Sequence, residues 1–265
     1  MLLAEFVSAV LLLDRPEGPT APPPLAAATA QTPDAAEPAE PGPTAVTTQL
    51  PDGRSAEFVA LGGPDTTRLL SRVAAELPAA TDAVSRFWGP DWRRELVIVA
   101  TASSPQFTAL AGGGADIAAA TTADRILFAP GAVGMNDADL RIVLRHELFH
   151  HAVRDVTAAD APRWLTEGVA DYVARTPEAA AVPDPTVTLP TDADLDAVGP
   201  VRSQAYDRAW RFAAYVADRY GPQRLRALYV AACGPDHVDV PTAVRESLGV
   251  DVDEVLAGWR QWPPG

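Results

Sequence analysis

His146, Glu147 and His150 stand in the order His-Glu-Leu-Phe-His, two imidazoles four residues apart with a carboxylate between them. On a helix, four residues make slightly more than one turn and rise about 6 Å, so both rings leave one face and can converge on one ion. Glu147 is offset by about 100° around the axis, which lets it reach a water on that ion without ligating it. A catalytic zinc takes three protein ligands and leaves one position for water, so a third ligand must come from elsewhere. Candidates lie in the run Trp164-Leu165-Thr166-Glu167-Gly168-Val169-Ala170-Asp171, where Glu167 and Asp171 are again one helical turn apart. One of these carboxylates can bind the metal. The other can accept the N–H of a ligating imidazole, which fixes its tautomer and raises its basicity. His151 points to a different helix face and reads as a surface residue or a neighbour of the ligands.

These residues need helices to carry them. Asn136, with Asp137 and Asp139, predicts an N-cap and an acidic first turn for a helix running to about Val153, with the His-Glu-x-x-His motif inside it. Pro162 opens a second helix, and Ser203 caps a third that stops at Gly221-Pro222. Shorter helices follow, ending near Trp259. Upstream, Ser55–Leu61 reads as a strand, Asp65–Arg86 as an amphipathic helix and Leu96–Ala100 as a central strand buried on both faces. A short helix over Pro105–Leu110 and two short strands within Ala115–Ala129 complete this half. Residues 52–265 therefore read as one domain, with an α/β half at 52–135 and a mostly helical half at 136–265.

The 265 residues, 48% hydrophobic, suffice for a buried core, and the formal charge of -14 repels phosphate backbones. Nucleic acid is thus excluded as an expected partner. The single cysteine, Cys233, reads as a core residue. Residues 1–15 are largely apolar but shorter than the roughly 20 residues of a membrane span. They read as the remnant of an export or membrane segment, or as a short amphipathic helix. Pro16–Pro51 is rich in Pro, Ala and Thr with no apolar period, the composition of a linker that tethers a domain to a membrane or cell wall. The expected location is extracellular, or membrane-anchored and facing outward.

The motifs resemble those of the gluzincins, zinc peptidases of the thermolysin-like and aminopeptidase-like kind, in which an HExxH helix is followed by a helix with a Glu ligand in an ExxxD pattern. His146, Glu147, His150, Glu167 and Asp171 match, and Trp164–Tyr172 is especially similar to small bacterial peptidase-MA-like domains. The resemblance covers roughly residues 52–262. It implies an α+β fold, a thermolysin-like zincin domain with a small mixed sheet and helices ahead of the active-site helix. It implies one zinc per chain held by His146, His150 and Glu167, with Glu147 as general base and Asp171 orienting a ligand. The metzincin alternative needs a third His in an HExxHxxGxxH pattern, which the sequence after His150 does not continue. A gluzincin usually adds a Tyr or His to stabilise the oxyanion. Tyr206, near the start of a helix after the long Pro183–Val201 loop, is the candidate. The strand Ile117–Thr121, with the small residues Ala118, Ala119 and Ala120, would be the edge along which an extended substrate adds. The implied activity is hydrolysis of a peptide or protein substrate. No Gly-x-Met-Glu-Asn signature for a free amino terminus is present. Two other functions fit the same residues: a binding or scaffolding protein that keeps a metal site for stability, and a zinc hydrolase of a non-peptide amide.

Overall fold

The computed structural model describes residues 7–9, 43–112, 117–175 and 186–262. Strands β1 (Val7–Ala9), β2 (Thr44–Gln49), β3 (Ser55–Leu61), β4 (Glu95–Thr101), β5 (Ala119–Thr121) and β6 (Ile126–Phe128) form one sheet in the order β1-β5-β6-β4-β3-β2. The pairs β3/β4 and β4/β6 are parallel and the rest antiparallel, so the sheet is mixed. Helices α1 (Pro64–Trp88) and α2 (Ser104–Ala111) are interleaved with the strands. The remaining helices follow the sheet: α3 (Asp137–Val153), α4 (Arg163–Ala174), α5 (Asp192–Asp196), α6 (Pro200–Tyr220), α7 (Pro222–Cys233), α8 (Val240–Leu248) and α9 (Val252–Gln261). The class is α+β, as expected.

Strand periodicity sorts the core into two layers, because alternate side chains of a strand point to opposite faces. Ala56, Phe58 and Ala60 of β3 join Leu96, Ile98 and Ala100 of β4 in the larger core, against Leu69, Val73 and Leu77 of α1 and Leu140, Leu144 and Leu148 of α3. The intervening Val99 faces the smaller core, with Phe107 and Ala111 of α2. The crossover helix α1 starts with Pro64 in its first turn and ends at Gly89, whose φ of 104° an L side chain would strain to adopt. Arg141 of α3 grips Glu76 of α1 at 2.9 Å and fixes the two helices at the surface. One face of the sheet thus becomes the floor on which α3 rests.

Several expectations need correction. The tail before residue 52 does not remain a plain linker. Thr44–Gln49 pairs along the whole of β3, with every side chain exposed. Its cohesion is backbone hydrogen bonding alone, which leaves no apolar period to detect. Residues 10–42 lie outside the described residues, as do 1–6. Within the first segment Val7–Ala9 is a strand and not a helix. The strand expected at Ile117–Thr121 begins at Ala119. Helix α6 is capped at Gly199 with Pro200 in its first turn, so Ser203 lies inside the helix. The loop expected over Pro183–Val201 contains α5, closed by a capping box of Thr191 and Asp194. No helix among the described residues is long and apolar enough to cross a membrane.

Candidate metal centre

Asn136 caps α3 by accepting a hydrogen bond from the Asp139 backbone N–H at 2.9 Å, and Asp137 and Asp139 complement the first turn. Two turns later Val143, Leu144 and Leu148 sink into the core, which turns His146 and His150 toward α4. Both imidazoles are buried, and their Nε2 atoms face each other at 3.0 Å. Helix α4 brings in Glu167, whose Oε2 lies 3.2 Å from His146 Nε2 and 3.7 Å from His150 Nε2. It reaches this depth because Gly168 lets α4 lie against α6: a Cβ there would meet the Ala209 carbonyl oxygen at 2.4 Å.

The donor set fits a zinc ion. Ligands about 2.0–2.1 Å from a tetrahedral centre lie about 3.3 Å from one another, which is the spacing of these three atoms. Glu167 Oε2 is buried and accepts no well-formed hydrogen bond from the protein. The electrostatics also favour a cation. Burial alone would lower the pKa of His146, but the Asp171 and Glu167 carboxylates hold it up at about 10. Burial would raise Glu167, yet the charge of His150 and the closeness of both imidazoles bring it down to about 2. A pocket that keeps a buried carboxylate ionised and a buried imidazole protonated stabilises positive charge, and a metal can take the place of the protons.

His146 Nδ1 lies 2.8 Å from Asp171 Oδ1; donation of Nδ1–H to that carboxylate leaves Nε2 as the ligand atom. Glu147 is fully buried beside the pair, with its Oε2 2.6 Å from Thr121 Oγ1 of β5. The same Thr121 oxygen is 2.9 Å from the Glu147 carbonyl, so one hydroxyl proton serves both. Sequence reasoning missed Thr121, because a hydroxyl ending a short apolar strand carries no signal without the helix that covers it. Tyr206 is buried, with its ring centroid 6.4 Å from that of His146. Burial, and then the Glu167 and Asp171 carboxylates, push its hydroxyl well above the ordinary phenol range, so it stays protonated.

Two expectations near the site change. His151 belongs neither to the surface nor to the ligand cluster. It is buried with neither ring nitrogen hydrogen-bonded, and burial, then the Arg93 charge, lower its pKa to about 4. The strand holding Ala119 and Ala120 lies over α3, with Ile117 and Ala118 just before it, and all four residues are buried. Its outer side is not open, because β1 pairs antiparallel with it, Ser8 opposite Ala120. Cys233 is in the core, as expected, where burial pushes its thiol up to about 12.

The fold is similar to that of Legionella pneumophila aminopeptidase A crystallised with aspartic acid. The two share 15% identity with a TM-score of 0.52, and the match covers 82% of this chain and 28% of that one. An M1 zinc metallopeptidase from Deinococcus radiodurans matches less closely, with 18% identity and a TM-score of 0.45 over 84% of this chain and 53% of that one. No family model and no curated protein matches the sequence. The fold is similar to that of the aminopeptidase, and within it His146, His150 and Glu167 form a buried group that could hold a metal. The match covers under a third of the aminopeptidase, and what the two share is the fold of that part.

Proposed function

We propose that this chain is a zinc-dependent metallopeptidase that hydrolyses peptide bonds, of the gluzincin type and similar to small bacterial peptidase-MA-like domains. The observation that carries the reading is a buried acid set apart from the ligands. Glu147 lies beside the His146, His150 and Glu167 donor group but outside it, hydrogen-bonded to Thr121. A site used only for stability has no need of an acid there. A zinc ion bound by His146, His150 and Glu167 supplies Lewis acidity to the scissile carbonyl and lowers the pKa of water toward about 7. Glu147 takes the proton of the attacking water and passes it to the leaving amine. Asp171 holds His146 in the ligating tautomer. The protonated Tyr206 hydroxyl is the donor to the oxyanion as the carbonyl becomes tetrahedral. An extended peptide would add to β5 only by displacing β1, which pairs there. The expected setting is outside the cell.

The test compares wild type, Glu147→Gln and a chelated control on an unbiased peptide library, with cut sites read by mass spectrometry and zinc content measured in parallel. Glu147→Gln should keep its zinc, because the amide is nearly isosteric and the ligands are untouched, and should cut about 10²-fold more slowly or worse. Equal cutting by both would refute the mechanism. Stoichiometric zinc with no cutting by any form would move the protein to the scaffolding or non-peptide reading.

A further inference from the structure

The hydrogen bond from His146 to Asp171 is the start of a longer chain of contacts. Asp171 is buried, and its second oxygen, Oδ2, lies 2.7 Å from Nη2 of Arg175, the C-cap residue of α4. The contact is an ion pair by distance, and Oδ2 accepts no hydrogen bond of good geometry from the described residues. The same guanidinium turns Nη1 to Asp207 Oδ1 on α6 at 2.8 Å, and it lies over the Trp210 ring of that helix, 5.3 Å from the centroid. Asp207 directly follows Tyr206. Three helices are therefore linked in series: His146 of α3 to Asp171 of α4, and Arg175 at the C-cap of α4 to both Asp171 and Asp207 of α6.

A planar guanidinium can hold two carboxylates at once in fixed directions, which an ammonium, acting as a point charge, cannot do. With one oxygen hydrogen-bonded to His146 and the other drawn to the Arg175 charge at 2.7 Å, turning of the Asp171 carboxylate is opposed from both ends, and so is turning of the imidazole that it orients. Without Arg175, a buried carboxylate keeps one unpartnered oxygen and is free to turn away from His146. We propose that Arg175 is a positioning residue of the metal centre: it clamps Asp171 against His146 and ties that clamp to the helix carrying Tyr206. This rests on the reading that His146 ligates zinc, though not on the nature of the substrate.

The experiment uses the full chain and zinc alone as ligand, with affinity measured by competition against a chelator and ligand geometry read from the visible spectrum of the cobalt-substituted protein. Arg175→Met keeps much of the volume and removes the fork. Zinc should bind about 10- to 100-fold more weakly, the usual loss when a group behind a ligand is removed, and the cobalt bands should shift. Arg175→Lys should fail to restore either value, and Asp207→Asn should weaken zinc in the same direction by less. Arg141→Met, which breaks an ion pair of the motif helix with α1, should change neither. Zinc affinity within twofold of wild type in a folded Arg175→Met, an unchanged cobalt spectrum, or equal weakening by Arg141→Met would each overturn the assignment. Should Arg175→Met not fold, Arg175→Lys and Asp207→Asn decide by the same two readouts. A wild type that binds no zinc overturns it as well. A wild type that binds zinc and cuts no peptide overturns the peptidase reading and leaves this one to be judged on affinity.

Discussion

Gly168 lies where the helix carrying Glu167 presses against the backbone of the helix carrying Tyr206. A Cβ at this position would lie 2.4 Å from the Ala209 carbonyl oxygen and 2.7 Å from its carbon. Ordinary contact begins near 3.4 Å, so Gly168→Ala requires the two helices to part by about 1 Å, and both obstructing atoms are backbone, which no rotamer change can move. Overpacking of this kind costs about 1–3 kcal/mol, partly offset by roughly 1 kcal/mol from the better helix propensity of Ala over Gly. A net loss of up to about 2 kcal/mol should lower Tm by up to roughly 8 °C in a domain of this size. The neighbouring Glu167 is displaced in the same movement, and metal-ligand distances tolerate only about 0.2 Å, so zinc affinity should fall about tenfold or more. Thermal unfolding in the presence of chelator isolates the packing effect, and chelator competition measures the second. Gly134→Ala, where a Cβ meets nothing within 4 Å, is the control and should change neither. A Gly168→Ala protein as stable as wild type with full zinc affinity would refute the claim that this contact sets the depth of Glu167.

Two further predictions follow from burial and from strand pairing. In the zinc-free protein, burial and the Arg93 charge hold His151 at about 4, against 6.5 for an ordinary imidazole, so between these values the unfolded chain binds a proton that the folded chain does not. Stability should therefore fall with pH from about 6.5 toward 4, by up to about 3 kcal/mol. His146, raised to about 10, loses its contribution only as pH rises above 6.5, and Glu167, lowered to about 2, loses its own only below 4.5. The window from 4.5 to 6.5 thus reports His151, and His151→Gln should flatten the slope of denaturant-derived stability there; an unchanged slope would remove His151 as its source. Deleting residues 1–42 takes away β1 and leaves β2, and should shift Tm by no more than about 3 °C while raising the rate of peptide cutting. Deleting residues 1–51 also strips β2 from the full length of β3, and should lower Tm further and promote aggregation at the bared edge. Identical melting of the two deletions would mean that β2 adds nothing.

The site was legible in the sequence to the extent that helical spacing dictates it. The His146–His150 and Glu167–Asp171 pairs each put two groups on one helix face through the 3.6-residue turn, and Asn136, Asp137 and Asp139 announced the helix carrying the first pair. The alternating and continuous apolar runs of β3 and β4 marked the floor of the sheet for the same local reason. These are short-range properties, decided within one element by backbone periodicity. Contacts between elements distant in the chain were not legible. Thr121 reaches Glu147 only because β5 is laid over α3, and Arg175 reaches Asp207 only because Gly168 lets α6 approach α4. His151 is a core residue because of what packs on the third face of α3, which helical spacing cannot reveal. The strands β1 and β2 were invisible, since a ribbon held through main-chain hydrogen bonds to a neighbour leaves no pattern in its own side chains. Sequence alone determined which residues could share a metal; the tertiary structure decided which groups hold them in place, because orientation depends on neighbours that only folding brings within hydrogen-bond reach.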